Sequence, residues 1–534
     1  MENTGVINQL EPFKTKWKAE DIKHLLKRTT FGAKPDDVVH FRTLSLRKGL
    51  NELLADEPTS PPPVNNYNDD KFTDDEIQSG ETWTTSINYD GMNNGRRKNS
   101  FKAWWMGLML NQNRTLREKM VVFWHNHFVT ETSMVDNALM CYRHNALLRQ
   151  HALGNFRELV KAVTQDPAML KYLNGTSSNK KAPDENYGRE LQELFTVGKG
   201  PGSHYTEDDV KAAAKVLTGF RNDTTTFVSI FDPGRHDSTD KIFSDFYKNT
   251  TIKGQRGPEG EQELDALLTM IFAQDEVARF ICRKLYRFFV YHQIDADTEA
   301  NVITPLAGVF RANKYEIKPV LRELFGSRHF FEANNRGSII KSPLDYTVGL
   351  CREYGIIFPD TTNYADQYGL WLAIQNQTAN MQQNIGDPPN VAGWPAYYQE
   401  PMFDKLWVNS DTLPKRNVFT DGMTNGNIGR NGKKLIIDVV AFTQSLPNPA
   451  DPVALIDDAV QRLYAIELPE KDKQYIKSSI LLSGLQDTMS DHYWTQAWQN
   501  MTAKPDDTAN KTNVIRKLKS LYKYLMNLPQ YQLT

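Results

Sequence analysis

Apolar residues recur at the spacing of an α-helix through most of this chain, and that spacing limits the fold more than any other feature. The densest stretch runs from Phe101 to Gly198 and includes FKAWWMGLMLNQ, LREKMVVFWHNHFV and ALMCYRHNALLRQHAL. Apolar residues three and four positions apart share one helix face, whereas a half-buried strand places them at every second position. The sequence therefore predicts a mainly α fold with a large multi-helix body.

The region near 222–256 breaks the helical pattern. Its segments TTTFVSIFD and KIFSDFY are rich in β-branched and aromatic residues, and PGRHDSTD, a run of turn-forming residues, separates them. This arrangement is typical of two short strands joined by a loop. We expect a small β-hairpin that projects from the helical body.

Composition divides the chain into four parts. Residues 1–57 predict N-terminal helices, the first of which opens with Asp21 as its N-cap. Residues 58–99 hold the prolines of TSPPPVNN and the run GMNNGRRKNS, which predict an extended surface loop. Residues 100–410 form a helical core with the β excursion. Residues 411–534 form a C-terminal helical part, which we expect to pack as one body with the core.

Charge and cysteine usage exclude several classes of protein. The chain has 63 Lys+Arg and 65 Asp+Glu, a formal net charge of −2, which excludes a strongly basic nucleic-acid binder. Its cysteines, Cys141, Cys282 and Cys351, form no CxxC pair and so indicate neither a disulfide framework nor a structural zinc site. No run is long and apolar enough to span a membrane, and the N-terminus lacks a signal-peptide pattern. As written, the sequence predicts a soluble cytoplasmic protein.

The common short catalytic motifs are missing from the sequence. It contains no GxSxG elbow, no HExxH, no GxGxxG after a strand, no phosphate-binding loop and no Glu-x-x-His pair. Nucleotide-binding, α/β-hydrolase and zinc-protease classes are therefore disfavoured. A divalent metal remains open, but residue spacing does not show a site for one.

Two histidines in WHNHF are the first candidates for chemistry. His125 and His127 lie about 160° apart on a continuous helix, so they cannot both face one ion unless the helix ends there. His127 falls within the apolar stripe that includes Trp124, and we interpret it as either a hydrogen-bonded core residue or a functional one. His125 falls at the edge of that stripe, where it borders either a cleft or the core.

The segment ENYGRELQELFTVG supplies the main candidate carboxylate. Glu190 borders its apolar face, and partial burial would raise its pKa and suit it to proton transfer. The alternative is a buried tie to an arginine or a backbone amide. Arg189 and Glu193 point away from the apolar face, and Glu193 is predicted to be a solvated surface charge.

Two loops supply the remaining candidates. His236 and Asp237 lie in RHDSTDK, between the two predicted strands, and serve either chemistry or the turn itself. Trp394 lies in PPNVAGWP, where its ring either forms a flat surface for a sugar or peptide or plugs the core.

Ordered sequence blocks identify the chain as similar to a large bacterial family of unknown function, number eighteen hundred in its series. The blocks are HLLKRTTFG, LREKMVVFWHNHF, HALGNFREL, DPAMLKYLNG, ENYGRELQELFTVGKG, YTEDDVKAAAKVLTGF, KSPLDY and PPNVAGWP. The family's motif positions fall here on His24, Arg28, Trp124, His125, His127, Asn186, Arg189, Glu190, Glu193, Asp209, Thr218, His236, Asp237 and Trp394. The resemblance implies a mostly helical fold. In many members it also implies export and a neighbouring gene resembling the sulfatase and alkaline phosphatase superfamily.

Two hypotheses follow for function. The first is a hydrolase acting on an envelope polymer, with Glu190 as general acid or base, His125 or His236 as its partner, and Asp237 as an orienting group or metal ligand. The second is a non-catalytic scaffold or binding protein for a partner protein or glycan. The candidate binding residues are Arg189, Asn186, Trp394 and Trp124. Convergence of the four catalytic candidates around one pocket would favour the hydrolase, and their dispersal would favour the binding protein.

Overall fold

The computed structural model describes residues 10–360, 362–484, 489–504 and 506–534. Helices dominate the described residues, so the predicted mainly α fold is confirmed. The first helices in chain order are α1 Ala19–Thr29, α2 Pro35–Arg42, α3 Leu46–Leu53, α4 Gly91–Asn111, α5 Arg117–His127, α6 Thr132–Val135, α7 Ala138–Gln150, α8 Phe156–Thr164, α9 Pro167–Tyr172, α10 Glu185–Glu190, α11 Glu207–Val216 and α12 Glu263–Phe272.

The later helices are α13 Asp275–Phe289, α14 Ala296–Thr298, α15 Thr304–Ala312, α16 Ile317–Gly326, α17 Pro343–Glu353, α18 Tyr364–Asn380, α19 Thr412–Asn425, α20 Val439–Gln444, α21 Pro452–Leu463, α22 Glu470–Tyr475, α23 Ser490–Ala503 and α24 Thr508–Asn527. Three helices continue as π-helix over Leu191–Thr196, Glu299–Ile303 and Ile476–Leu481. None of the described helices combines the length and apolarity that crossing a membrane requires.

Short antiparallel hairpins interrupt the helices. Strand β1 Phe220–Asn222 pairs with β2 Ser229–Phe231, β3 Lys241–Ile242 with β4 Thr251–Ile252, and β5 Ile428–Arg430 with β6 Lys433–Leu435. The β excursion near 222–256 is thus confirmed, but the pairing expected within it is wrong. Each predicted strand pairs with a nearer neighbour, because a short hairpin closes a smaller loop than the expected one.

The described chain forms two compact units. Unit 1 comprises the described residues of Met1–Thr15, Leu46–Phe330 and Asn384–Phe403, and unit 2 comprises those of Lys16–Ser45, Phe331–Gln383 and Asp404–Thr534. All eight candidate site residues predicted from the sequence belong to unit 1.

Helix termini follow their capping residues. The Thr206 hydroxyl accepts from the Asp209 backbone N–H at the start of α11, and the Asp209 carboxylate in turn accepts from the Thr206 N–H, which forms a capping box. The N-cap predicted at Asp21 is wrong. Helix α1 begins at Ala19, and Asp21 lies in its first turn, where its carboxylate accepts from the Lys18 N–H at 2.6 Å.

The segment 58–99, predicted to be an extended loop, has buried anchors. Trp83 is fully buried and its indole N–H donates to Ser100 at 3.0 Å. Arg97 donates to the buried Asp74 carboxylate at 2.9 Å. Helix α4 begins at Gly91, inside this segment, because Asp90 caps it by accepting from Asn93 N–H.

Candidate functional site

His125 lies in the core of unit 1 rather than at the border of a cleft. Helix α5 is buried on every side from Glu118 to His127, so its apolar stripe has no solvent-facing edge, and His125 is 3% exposed. Its ring centroid lies 5.1 Å from that of Trp105 and 5.8 Å from that of Trp394. Burial, together with nearby His144, lowers the pKa of His125 to about 3. The imidazole is therefore neutral and enclosed.

Trp394 and Trp124 fill the core instead of forming a binding surface. Trp394 is 1% exposed, and its backbone N–H donates to the Asn126 side-chain oxygen at 2.8 Å. Trp124 is fully buried, and its indole N–H donates to the Ala152 carbonyl at 3.0 Å. Burial of these large rings stabilises unit 1 and leaves neither ring face open to a ligand.

His236 and Asp237 belong to a buried network that ties the hairpins to α12. His236 Nδ1 donates to the Thr218 carbonyl at 2.8 Å, and its Nε2 lies 3.1 Å from Glu263 Oε1. Lys241 Nζ donates to Glu263 Oε2 at 2.5 Å and also to the Asp237 carbonyl. Burial alone would raise the pKa of Glu263, but the adjacent His236 ring and hydrogen bonds from Lys241 and the Gln255 backbone N–H hold it below its usual range.

The Asp237 carboxylate serves its own turn. Its Oδ1 accepts from the Thr239 backbone N–H at 2.8 Å and from the Thr239 hydroxyl at 2.6 Å. These bonds outweigh the opposing effect of burial and lower the pKa of Asp237. A carboxylate that accepts from the backbone N–H two residues later forms an Asx turn. The role of Asp237 as a turn residue therefore accounts for its position.

Glu190 is the one predicted catalytic residue whose surroundings suit proton transfer. It ends α10, is partly buried, and its Oε2 has no hydrogen-bond partner within the described residues. Burial, then the neighbouring Glu193 carboxylate, raises the pKa of Glu190. Glu193 itself is 16% exposed and pairs with Lys199, so it is not the solvated charge predicted from the sequence. The π-helical turn Leu191–Thr196 rotates it away from the position expected for an α-helix.

Arg189 and Asn186 lie on the outer side of the same helix. The Arg189 guanidinium forms two hydrogen bonds of 2.7 Å to the Glu207 carboxylate. Asn186 is exposed, and its backbone N–H donates to the Asp184 carboxylate that caps α10. Arg189 therefore already has an acid partner, and the pair connects α10 to α11.

The structure does not assemble the four catalytic candidates into one site. Within the described ranges, no hydrogen bond joins Glu190, His125 and the His236–Asp237 pair, and each has different neighbours. Nor do the described residues include a group of three or more His, Cys, Asp or Glu side chains placed to hold a metal ion.

Unit 1 contains a cavity of about 620 Å³ that none of the predicted residues lines. Small-molecule sites in proteins commonly have volumes of about 300–1,000 Å³. Its lining comes from helices α4 and α7, the first residue of α5, the chain before α8, the start of α16 and the segment 55–60, which is called the lip below. The lining residues are Ala55, Asp56, Glu57, Thr59, Ser60, Trp104, Arg117, Tyr142, Ala146, Arg149, Gln150, Ala152, Leu153, Gly154, Glu316 and Lys318.

Two aromatic rings contribute to the lining of this cavity. Trp104 and Tyr142 meet edge to face with ring centroids 5.5 Å apart. The Arg149 guanidinium lies over the Trp104 ring, 4.8 Å from its centroid, and forms a two-point ion pair with the buried Glu118. Arg149 is thereby held in place, and burial raises the pKa of Tyr142, which keeps its hydroxyl protonated.

Charged side chains at the lip are paired with one another. Lys318 Nζ donates to Asp56 at 2.7 Å, and Arg117 lies 3.1 Å from Glu57. Arg117 also donates to the Glu57 and Pro58 carbonyls and to the Ser60 hydroxyl, which fixes the lip. The lining has three acids and three bases and so carries no net formal charge.

Sequence patterns could not reveal this cavity, because its walls come from segments far apart in the chain. The signal that could have pointed to it is the pair Trp104, in FKAWW, and Tyr142, in MCYRH, because Trp and Tyr rings suit clefts as well as cores.

A family model described as "Protein of unknown function (DUF1800)" matches residues 24–533. No curated protein and no solved structure matches the chain.

Proposed function

Because the chain belongs to the DUF1800 family, whose description assigns no activity, we propose a function from the geometry of unit 1: the protein binds a neutral carbohydrate. The observation that carries the proposal is the cavity of about 620 Å³ lined by Trp104 and Tyr142. It is large enough for a short oligosaccharide segment.

The charge balance of the lining supports a neutral ligand. An anionic ligand needs unpaired Arg or Lys donors, and a cationic one needs unpaired carboxylates or open aromatic faces. Here Arg149 is bound by Glu118, Arg117 by Glu57, and Lys318 by Asp56. An anionic ligand would have to displace one of these acidic partners, whereas a neutral ligand would not.

The mixed chemistry of the lining supports a polyol. Carbohydrate rings have apolar C–H faces, which pack on aromatic side chains, and hydroxyls, which both donate and accept hydrogen bonds. Tyr142 supplies an aromatic surface, while the carboxylates of Asp56, Glu57 and Glu316 supply acceptors and Gln150 supplies an amide. These groups surround the cavity from several sides.

Calorimetric titration with neutral, acidic and basic oligosaccharides of matched length tests the proposal. We expect a neutral member to bind with an affinity that changes little between low and high salt, since no charge pairing is involved. Tyr142→Ala should weaken that binding by about tenfold or more, as removal of an interface aromatic commonly does.

Tyr475→Ala is the matched control, because Tyr475 is 52% exposed and belongs to unit 2. It should bind like the parent. Binding that prefers a charged oligosaccharide, or that Tyr142→Ala leaves unchanged, would contradict the proposal.

Glu190 supports a second candidate function, a hydrolase acting on a polymer of the bacterial envelope. Its raised pKa and its Oε2 without a hydrogen-bond partner are properties of a general acid. The Glu190 carboxylate also contributes to the raised pKa of Tyr172 and of Tyr205, so both hydroxyls lie near it. Glu190→Gln should abolish turnover of a hydrolysed polymer while leaving its binding intact. Equal turnover by the variant and the parent would eliminate this candidate.

The family resemblance also leads us to propose a partner, the product of a neighbouring sulfatase- or phosphatase-like gene. Co-purification of the two proteins from their natural source tests this pairing. Purification of the chain without that product, at native expression levels, would reject it.

A further inference from the structure

A small cavity of about 40 Å³ lies in unit 2, against one face of helix α1. Four residues of that face line it, namely Glu20, Lys23, His24 and Lys27. Their spacing of three, four and seven positions places them on the same side of an α-helix. Since one water needs about 10–15 Å³ of such space, the cavity has room for about three waters or one small ion. A ligand here is therefore of a different class from the carbohydrate proposed for unit 1.

Two cations of the lining already have acidic partners. Lys27 Nζ lies 2.5 Å from Glu353 Oε1, and both side chains are buried. Arg336, on the opposite side of the cavity from α1, donates to the Asp21 carboxylate. These pairs hold Lys27 and Arg336 in place and neutralise their charges.

Lys23 is the cation of the lining whose charge is not neutralised in this way. It is partly buried, its Nζ donates to the Gln461 carbonyl, and it forms no ion pair within the described residues. Glu20, the carboxylate side chain of the lining, is 58% exposed and lies 3.8 Å from Lys18. Because an ammonium has three N–H donors, Lys23 retains donors for a further partner.

The charged neighbours of Lys23 add to the cost of its positive charge. Burial has the largest effect on its pKa, and Lys27 and Arg462 act in the same direction. Glu20 and Glu353 oppose them only in part, so the pKa of Lys23 is lowered to about 8. An anion beside the ammonium would supply the missing opposite charge.

Thr534 provides an independent donor to the same cavity. It is 5% exposed, and its Oγ1 has no hydrogen-bond partner among the residues that the structure describes. Buried polar groups in proteins nearly always have a partner, and a hydroxyl can donate to an anion. No ion pair joins Thr534 to Lys23, Lys27 or Arg336 in the described chain.

We propose that this cavity binds a small monovalent anion, held by the Lys23 ammonium and the Thr534 hydroxyl. The single cation without an acidic partner favours a single negative charge, and the volume of the cavity favours an ion of a few atoms. A water would satisfy the hydroxyl but would leave the charge of Lys23 uncompensated. The site is separate from the carbohydrate cavity, which lies in unit 1.

Anomalous diffraction from a crystal soaked in bromide tests the proposal, since bromide is a small monovalent anion that X-ray absorption locates. We expect an anomalous peak in the cavity, in contact with Lys23 Nζ and Thr534 Oγ1. Lys23→Met should remove this peak. Lys415→Met is the matched control, because Lys415 is an exposed lysine of the same unit, and it should leave the peak unchanged. A cavity without the peak in the parent, at a concentration that gives peaks elsewhere, would overturn the proposal.

Acetylation by limiting acetic anhydride, assigned by peptide mass spectrometry, tests binding in solution. Bound bromide would stabilise the ammonium and so raise the pKa of Lys23 from about 8. A rise of about one unit would lower the neutral fraction at pH 8 about fivefold, from about one half to about one tenth. We expect Lys23 to react at least about threefold more slowly in bromide than in a bulky sulfonate salt of equal ionic strength.

Lys415 is the internal reference, and its acetylation should be the same in the two salts. Thr534→Val keeps the shape of the side chain but removes the hydroxyl, so it should reduce the effect of bromide on Lys23. Equal rates for Lys23 in the two salts, or equal slowing of Lys23 and Lys415, would overturn the proposal and would identify any bromide peak as binding at crystal concentration only.

Discussion

The buried pair of Lys241 and Glu263 gives the sharpest test of the network that ties the hairpins to α12. Both side chains are essentially unexposed, at 0% and 1%, and Nζ lies 2.5 Å from Oε2. Lys241→Met preserves most of the buried stem but removes the charge, which leaves the Glu263 carboxylate without its main partner. Removal of one partner from a buried ion pair costs about 3–5 kcal/mol of unfolding free energy. The Gln255 backbone N–H still donates to Glu263 in the variant, so we expect the lower end of this range, about 3 kcal/mol.

The same hairpin offers a matched control. Lys253 donates to Asp240 at 2.6 Å, nearly the same distance, but the two side chains are 73% and 46% exposed. Exposed ion pairs contribute at most about 1 kcal/mol, so Lys253→Met should cost little. Urea unfolding followed by circular dichroism measures both losses. Hydrogen exchange of peptides from β3, β4 and α12 then assigns the loss to this region.

The pH dependence has a defined sign. The pKa of Glu263 in the folded protein lies below its ordinary value of 4.5, so its ionised form stabilises the fold above that pH. This stabilisation disappears as pH falls through the lower, folded-state value. The difference between parent and Lys241→Met should therefore narrow below about pH 4.5. Equal losses for Lys241→Met and Lys253→Met at pH 7 would refute the assignment of His236 and Asp237 to a structural network.

Two further comparisons have defined outcomes. Gly393 has φ +98°, and a Cβ there would overlap the Asn126 side chain, whereas Gly432 has φ +76° and open space around its Cβ. Gly393→Ala should therefore cost at least about 2 kcal/mol more than Gly432→Ala, and should expose Trp394 to fluorescence quenching; equal costs would contradict a closely packed loop. Glu190→Gln should raise stability at pH 7 by less than about 1 kcal/mol, because the folded-state pKa of Glu190 is raised and its charge opposes folding. That gain should disappear below about pH 4 in thermal melts, and a loss of stability at pH 7 would contradict the raised pKa.

Helical periodicity predicted the fold class but not the environment of individual residues. Helix α5 shows why, because its residues from Glu118 to His127 are all buried. A helix buried on every side has no boundary between an apolar and a polar face, so periodicity could not show whether His125 borders a cleft. The π-helical turn after Glu190 had a similar effect on Glu193, since a turn with i→i+5 bonds shifts every later side chain.

A local turn signal in the sequence marks the third hairpin. Asn431 and Gly432, both with positive φ, form the turn between β5 and β6, and an Asn-Gly pair is a strong signal for such a hairpin. The cavity, unlike that turn, has no local sequence signal. Its lip and walls combine residues near 56, 104, 142 and 317, so only the tertiary fold brings them together.

A crystal structure of the protein with the neutral oligosaccharide that binds best tests the central claim most directly. We predict electron density for the sugar within the cavity, with one ring face against Tyr142 and hydroxyls hydrogen-bonded to Asp56, Glu57 or Gln150. The ion pairs of Arg149 with Glu118 and of Lys318 with Asp56 should remain intact. Sugar density at another surface, with the cavity empty at saturating ligand, would contradict the account.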